Sequence, residues 1–415
     1  MKVKVSMLTA SNVLLACWLV AAPAAAERTA TSTPTPAVVE TSTPTPAAEG
    51  APAPPLGGLA PTLKLKVGGY VEVFYQLSFN APSNFITAYR GFDNRSSSFT
   101  IDNAVLDVTA ELGPAFARVA LQVGHAPFSY YGAEPSSPAT AGVGPSAPEL
   151  WHLIQQAIVG YKIPVGRGLL AEAGIFISPI GIEQLAIKDN WNWSRSNLFF
   201  GLPFYHAGVR LTYPLTDQLT AAVYATNGWN DIITRNGHPA VAGLLTWTPS
   251  EQLSGTLLYF GGVEAPRGAP EGQPWRNLFD LNATWSPSPY LSLAMQADAG
   301  IEANNFGTSW WASGAAYARV HPAEWLFIAA RGDYFHEGVA PGAARLFFPA
   351  DEVISATATI DLRPVENLSF RTELRLDWAS ADLYFRGAVA ADDSGGQRPN
   401  TRKQQTLTFG ALAWF

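Results

Sequence analysis

The sequence predicts an all-β protein, a transmembrane antiparallel β-barrel of about sixteen strands that follows a signal peptide and a Pro/Thr-rich linker. Three observations predict this fold. Charged residues make up only 14% of the chain and aromatic residues 12%, whereas about 25% of an ordinary soluble domain is charged. Polar and apolar residues alternate with a period of two from Leu63 onward. The connections between the alternating segments are short and long in turn, which is typical of barrels that cross a membrane.

Residues 1–26 are predicted to be an export signal peptide. Two lysines precede an apolar stretch from Val13 to Ala22, and Ala24-Ala25-Ala26 forms a small-residue cleavage site. Cys17 leaves a lipoprotein signal as an alternative, but the apolar stretch continues past it. Cleavage after Ala26 removes the one cysteine of the chain, and with it disulfides and cysteine-based metal sites.

Residues 27–62 are predicted to be a disordered Pro/Thr/Ala-rich linker. The segment Thr31 to Ala37 recurs at Thr41 to Ala47, and proline at this density favours extended backbone without a core. Once the signal peptide is removed, 24 basic residues stand against 33 acidic ones. This balance argues against nucleic acid as a partner, because phosphate binding needs an excess of positive charge.

The segment from Leu368 to Trp378 shows the two-residue period most clearly. Its even positions are mainly apolar, and its odd positions are Ser, Arg, Glu, Arg and Asp. Successive strand residues point to opposite faces, so Leu374 is predicted to face lipid and Glu373 to face water.

The number of connections predicts the number of strands. Seven short connections rich in Pro, Gly or Asp lie at 112–114, 164–167, 214–217, 249–251, 287–289, 321–323 and 364–367. Eight longer ones lie at about 79–98, 126–150, 179–202, 228–237, 263–275, 300–309, 336–351 and 379–403. Together they join sixteen strands over residues 63–415, and an even number places both mature termini in the periplasm.

The last strand predicts the location of the protein. It is amphipathic and ends on the aromatic residue Phe415, which resembles the barrel-assembly signal of bacterial outer-membrane proteins. The bacterial outer membrane is therefore the expected location, with the barrel-assembly machinery as a partner through Phe415. Outward-facing aromatic residues beside the short connections predict contact with outer-membrane lipid, and they are Tyr161, Tyr213, Trp247, Trp285 and Phe415.

A barrel of about sixteen strands encloses a water-filled channel, so the inward-facing charged residues are predicted to line a pore. They include Glu72, Asp107, Arg118, Glu172, His206, Arg210, Asp280, Asp298, Arg319, Arg331, Asp333, Arg371, Glu373, Arg375 and Asp377. Acids and arginines are mixed, so this set alone predicts no ion selectivity.

The third long connection, about 179–202, is predicted to form the pore constriction. Its large aromatic residues favour a loop that is packed on the inner wall, where they can be buried. The residues expected at the constriction are Glu183, Lys188, Asp189, Asn190, Asn192, Ser194 and Arg195. Arg195 and Asp189 are expected to set the ion selectivity, because charges act most strongly in the narrowest water column.

The segment from Lys188 to Phe200, continued by Pro203 to Arg210, resembles the bacterial OmpL-like β-barrel porin family. Gly69 to Tyr75 and Ala225 to Trp229 are similar to it as well. The resemblance covers most of residues 64–415. It implies a porin, that is, a channel for passive diffusion of small hydrophilic solutes and ions, with the third loop folded into the lumen. Trimers are common among sixteen-stranded porins, so a homotrimer is an expected assembly.

Two other functional classes compete with a channel. An enzyme is disfavoured because the sequence has no Gly-x-Ser-x-Gly motif and no pair of histidines at metal-binding spacing. His206 is the best candidate for a catalytic base, but pore lining is its more common role; no enzymatic activity and no cofactor are expected. An adhesin or receptor that acts through its long loops, especially 126–150 and 379–403, stays open as the alternative.

Overall fold

The computed structural model describes residues 62–132, 134, 149, 151–391 and 395–415. The predicted signal peptide and all of the predicted linker except Thr62 lie outside these residues. Sixteen antiparallel strands, β1 to β16, form one closed barrel, which confirms the predicted fold class. In chain order they are Leu63–Ser78, Phe99–Leu112, Ala115–Val123, Ile154–Ile163, Leu169–Ile177, Tyr205–Pro214, Leu219–Thr226, Ala240–Ser250, Leu253–Val263, Trp275–Ser288, Leu291–Asn304, Gly307–Ala323, Leu326–Gly338, Glu352–Val365, Leu368–Ala379 and Lys403–Trp414.

Each strand pairs with its neighbours in the sequence, and β1 pairs with β16 to close the barrel. This seam runs in register from Tyr70 opposite Trp414 to Ser78 opposite Thr406. Closure gives every strand two hydrogen-bonded partners, so no sheet edge is left unpaired.

The two faces of the sheet differ as the two-residue period predicts. On β15, Phe370 is 47% exposed and Leu374 43% exposed on the outer face, whereas Arg371 and Glu373, which lie between them on the inner face, are at most 2% exposed. Apolar side chains therefore cover the outside of the barrel and polar side chains its inside. Among the described residues, no helix is long and apolar enough to cross a membrane.

The strands are joined by short turns at one end of the barrel and mostly by longer loops at the other. We number the loop-end connections 1 to 8: 79–98, 124–153, 178–204, 227–239, 264–274, 305–306, 339–351 and 380–402. Loop 2 contains the short helix α1, His125–Tyr131, and loop 3 contains two 3-10 helices, Ile187–Asp189 and Leu198–Gly201. At the turn end, Gly113 has a φ of 61°, a conformation that favours glycine.

One connection is shorter than the sequence predicts. The region 300–309 was expected to be a long loop, but β11 and β12 stay paired as far as Asn304 opposite Gly307. The Asn304 side chain accepts a hydrogen bond from the Phe306 backbone N–H (3.0 Å). This side-chain bond stabilises a two-residue turn, because asparagine can replace a backbone acceptor in tight turns.

Candidate functional site: the lumen and loop 3

Loop 3 lies inside the barrel and contacts inward-facing residues on widely separated strands. The Ile182 N–H donates to Gln296 of β11 (3.0 Å), and the Ile187 N–H donates to Glu72 of β1 (2.5 Å). The Asn192 side chain donates to Thr359 of β14 (2.7 Å). Loop 3 therefore lies across the inner wall from β11 to β1.

Glu373 on β15 holds the centre of loop 3. Its carboxylate accepts hydrogen bonds from the N–H groups of Trp193 (2.5 Å) and Ser194 (2.9 Å), and from the Thr359 hydroxyl (2.8 Å). The sequence predicts that Glu373 faces water. The side chain does point inward, but it is only 1% exposed because loop 3 covers it.

Arg331 on β13 is the most heavily bonded residue beneath loop 3. Its guanidinium donates to the Glu183 carboxylate (2.7 Å), to the Ser194 carbonyl oxygen (2.5 Å) and to Asp333 (3.2 Å). Its side chain has no exposed surface, so all its charge is balanced within the protein. A buried cation with this many partners fixes loop 3 to the wall.

Two further arginines on β15 bind the backbone of loop 3. Arg371 donates to the carbonyl oxygens of Ile187 (3.1 Å) and Asn192 (3.2 Å). Arg375 donates to the carbonyl oxygen of Arg195 and to the Asn197 side chain. Carbonyl groups of an irregular loop lack partners of their own, and these guanidinium groups supply them.

Aromatic packing completes the docking of loop 3. The Trp193 ring is fully buried and lies 6.1 Å from the ring of Phe74 on β1. It also packs closely against Gly410 of β16, where a Cβ atom would overlap the indole. Trp191 makes an edge contact with Tyr317 of β12 at 6.4 Å between ring centres.

The residues predicted at the constriction divide into two groups. Lys188 and Asp189 form an ion pair of 2.9 Å, and their side chains are 30% and 25% exposed. The others are buried: Glu183, Asn190, Asn192, Ser194 and Arg195.

Arg195 donates to carbonyl oxygens within loop 3 itself, namely those of Gln184, Leu185 and Trp193. The sequence predicts its charge in the water column, but the guanidinium is buried in the loop. An effect of Arg195 on ion selectivity stays a prediction.

The residues predicted to line the pore all face inward, and most of them are covered. Those that are buried are Glu72, Glu172, His206, Asp280, Asp298, Arg331, Asp333, Arg371, Glu373, Arg375 and Asp377. Those with partly exposed side chains are Asp107, Arg118, Arg210 and Arg319. Their role in a channel stays a prediction.

Some of the inward-facing charges are paired across neighbouring strands. Arg118 binds Asp107 with two nitrogens, and Arg210 binds Glu172. His206 lies 3.2 Å from the Ser178 hydroxyl and 3.2 Å from the Gly228 carbonyl oxygen, which are contacts of a buried structural histidine. In the part of the chain that the structure describes, no three histidine, cysteine or acidic side chains are arranged to hold a metal ion.

Loop 1 also enters the lumen, which the sequence analysis missed. Arg90 donates to Asp93 (2.9 Å), to Asp377 of β15 (3.2 Å) and to Thr406 of β16 (2.7 Å). Phe92 of the same loop lies 5.7 Å from Phe199 of loop 3. The sequence signal for this docking is Arg90, Phe92 and Asp93, which stand close together in a polar loop.

Two buried carboxylates stabilise loops 4 and 5 at the loop end of the barrel. Glu264 accepts a hydrogen bond from the Trp229 N–H (2.8 Å), and Asp231 pairs with Arg235 at 2.9 Å. Burial raises the pKa of Glu264 to about 7 and that of Asp231 to about 6, against the pull of the neighbouring arginines.

We expect this loop packing to weaken as the pH rises from 5 to 8. A raised carboxyl pKa means that the folded state favours the neutral form, so stability is lost as the pH rises through the pKa of about 7. Hydrogen exchange of the Trp229 N–H, corrected for its intrinsic pH dependence, should show less protection at pH 8. Glu264→Gln should flatten this dependence, and equal protection of the unmodified protein at both pH values would contradict it.

Comparison with known proteins identifies the family of the chain. The model of the OmpL-like beta-barrel porin-2 family matches residues 64–415. No curated protein matches the chain significantly.

Solved structures share the fold. The chain is similar to the anion-selective porin from Comamonas acidovorans, with 12% identity, a TM-score of 0.55, and 85% of this chain and 100% of that chain covered. It is similar to the outer membrane channel DcaP of Acinetobacter baumannii, with 12% identity, a TM-score of 0.53, and 86% and 100% covered. It is also similar to the trimer form of OmpT of Vibrio cholerae, with 8% identity, a TM-score of 0.53, and 85% and 99% covered. The match over almost the whole barrel, together with the closed sixteen-stranded sheet, means that the chain belongs to the OmpL-like beta-barrel porin-2 family.

Proposed function

We propose that this protein forms a water-filled channel for passive diffusion of small hydrophilic solutes and ions across the bacterial outer membrane. The observation that carries the proposal is that loop 3 enters the lumen and is bonded to Glu72, Arg331 and Glu373 on the inner wall. A loop held in this way narrows the lumen. The channel is not an enzyme and uses no cofactor.

The constriction lies beside the free side of loop 3. Loop 3 covers the wall near β13 to β15, whereas Lys188 and Asp189 keep partly exposed side chains. Arg118 and Asp107 on β3 and β2 are exposed to a similar extent, 28% and 25%. These four groups are among the charges that a passing ion meets, and the four are balanced in sign.

The proposed topology follows from the export route. Residues 1–26 direct export, residues 27–62 lie in the periplasm, and the barrel from 63 to 415 is inserted by the assembly machinery through Phe415. That ring is 71% exposed at the end of the chain. Apolar outer residues such as Leu374 contact lipid. A homotrimer is the proposed assembly, in keeping with the trimer described for OmpT of Vibrio cholerae.

Planar-bilayer recording tests the proposal. Purified, heat-modifiable protein should give step-like ion conductance, and Asp189→Asn should shift the reversal potential under a salt gradient toward anions because Lys188 then stands unpaired. Asp382→Asn is the matched control, since Asp382 lies in loop 8 with a side chain that is 59% exposed. A shift by Asp382→Asn as large as that by Asp189→Asn would place the constriction elsewhere. Absence of conductance in folded protein would contradict the channel and favour the adhesin or receptor.

A further inference from the structure

Arg319 on β12 is an inward-facing cation that forms no ion pair and no hydrogen bond with any residue that the structure describes. Within the described residues its contacts are with two aromatic rings: the guanidinium carbon lies 4.8 Å from the centre of the Trp191 ring and 5.5 Å from that of Phe327. Stacking on these rings holds the planar group in place and leaves its N–H donors unused. The side chain is partly exposed.

Two more arginines lie beside it. The Arg363 guanidinium on β14 also lies over the Phe327 ring, 4.5 Å from its centre, and Arg371 on β15 is close enough for its charge to act on Arg319. We call Arg319, Arg363 and Arg371 the arginine cluster. The Nη2 atom of Arg371 is buried and has no hydrogen-bond partner.

The one carboxylate within the cluster is already committed. Asp361 accepts from Arg363 (2.9 Å and 3.0 Å) and from the Ser369 hydroxyl (2.6 Å), and it lies 3.3 Å from Arg371. The next carboxylates, Glu72 and Glu373, accept hydrogen bonds from the backbone of loop 3. Glu72 and Glu373 act on Arg371, whereas Asp361 is the one acidic group that acts on Arg319, against Arg363 and Arg371. Among the three cations, the charge of Arg319 is therefore the least balanced.

The cluster lies in the lumen near the turn end. Arg319 lies near the turn at 324–325, and Arg363 lies near the turn at 366–367. Trp191 of loop 3 packs against Arg319. A solute that enters from the turn end meets these side chains before it meets the rest of loop 3.

We propose that the arginine cluster is a binding site for a small oxyanion, a carboxylate or a phosphate, at the turn-end entrance of the lumen. Arg319 supplies a planar pair of donors for two oxygens of the anion, Arg371 supplies its free Nη2 donor, and Arg363 adds charge. The inference rests on the proposed function, because a solute reaches the cluster through the lumen.

Calorimetric titration of the folded protein in neutral detergent tests the site without requiring a channel. Inorganic phosphate and succinate are titrated separately at low chloride concentration, and glycerol serves as the uncharged probe. We expect binding of at least one of the two anions, no binding of glycerol, and a loss of affinity of about tenfold or more in Arg319→Gln, since hydrogen bonds to charged groups are strong. The tighter of the two anions identifies whether the source is an organic acid or inorganic phosphate.

Arg167→Gln is the matched control. Arg167 lies in a short turn at the same end of the barrel and pairs with Asp217, so the variant makes the same charge change outside the lumen. If Arg319→Gln does not give heat-modifiable protein, Arg363→Gln takes its place and should also weaken binding.

The inference is overturned if neither anion binds, if Arg319→Gln binds as the unmodified protein does, or if Arg167→Gln weakens binding equally. Planar-bilayer recording separates this result from the proposed function. A conducting protein that binds neither anion overturns the site alone, and a protein that binds anions without conducting overturns the channel alone.

Discussion

Arg331→Ala is expected to release loop 3 from the inner wall and to open the lumen. The substitution removes the cation that binds Glu183, Ser194 and Asp333, and leaves two buried carboxylates without it. Breaking a buried ion pair in this way costs about 3–5 kcal/mol. Since the strands keep their own hydrogen bonds, we expect the cost to appear as detachment of the loop rather than as loss of the barrel.

Two measurements report this detachment. Lys188 and Arg195 in loop 3 should become accessible to trypsin, and single-channel conductance should rise. Arg118→Ala is the matched control, because Arg118 also faces the lumen in an ion pair, with Asp107, and forms no hydrogen bond or ion pair with loop 3. If both variants give the same trypsin sensitivity, or if Arg331→Ala leaves conductance unchanged, Arg331 does not hold loop 3.

Leu374→Arg should destabilise the inserted barrel by about 2–4 kcal/mol, the cost of an arginine on the lipid face at the bilayer midplane. Leu374 lies in the middle of β15, is 43% exposed on the outer face and pairs with Ala358 and Leu407 on the two adjacent strands. The measurement is reversible unfolding by denaturant in lipid vesicles.

The depth of the substituted residue supplies the control. Val365 is 60% exposed at the last position of β14, next to a short turn, so Val365→Arg should cost only about 0–1 kcal/mol near the membrane interface. Equal destabilisation by the two arginines would mean that this part of the sheet does not cross the membrane as proposed.

The strands were predictable from the sequence because alternation is a local property. From Leu368 to Trp378 of β15 each outward residue is apolar or uncharged and each inward one is polar, and the neighbours of a strand in an antiparallel barrel are its neighbours in the chain. Pairing therefore follows once the strands are found. The connection at 305–306 escaped prediction because the paired strands extend farther than their polar composition indicates.

The interior was less predictable because it depends on contacts between distant segments. The sequence of loop 3 contains aromatic residues that need burial. It does not show that the Trp193 backbone N–H donates a hydrogen bond to Glu373, 180 residues away in the chain. The same limit applies to Arg195, which binds carbonyl groups of its own loop, and to Arg90 of loop 1. A charged side chain in a loop can as easily face water as bond to backbone, and only the folded geometry decides.

The position of loop 3 over the seam links the lumen to the order in which the barrel opens and closes. The pairing of β1 with β16 joins residues from opposite ends of the barrel sequence, such as Tyr70 and Trp414. It therefore carries the largest chain-closure entropy of the strand pairings in the described barrel and is the natural last step of folding. Loop 3 spans this joint from inside, since Ile187 is bonded to Glu72 of β1 while Trp193 lies on Gly410 of β16. Separation of the two terminal strands requires loop 3 to detach from at least one of them, so the segment that occupies part of the lumen also opposes the opening of the barrel at this seam.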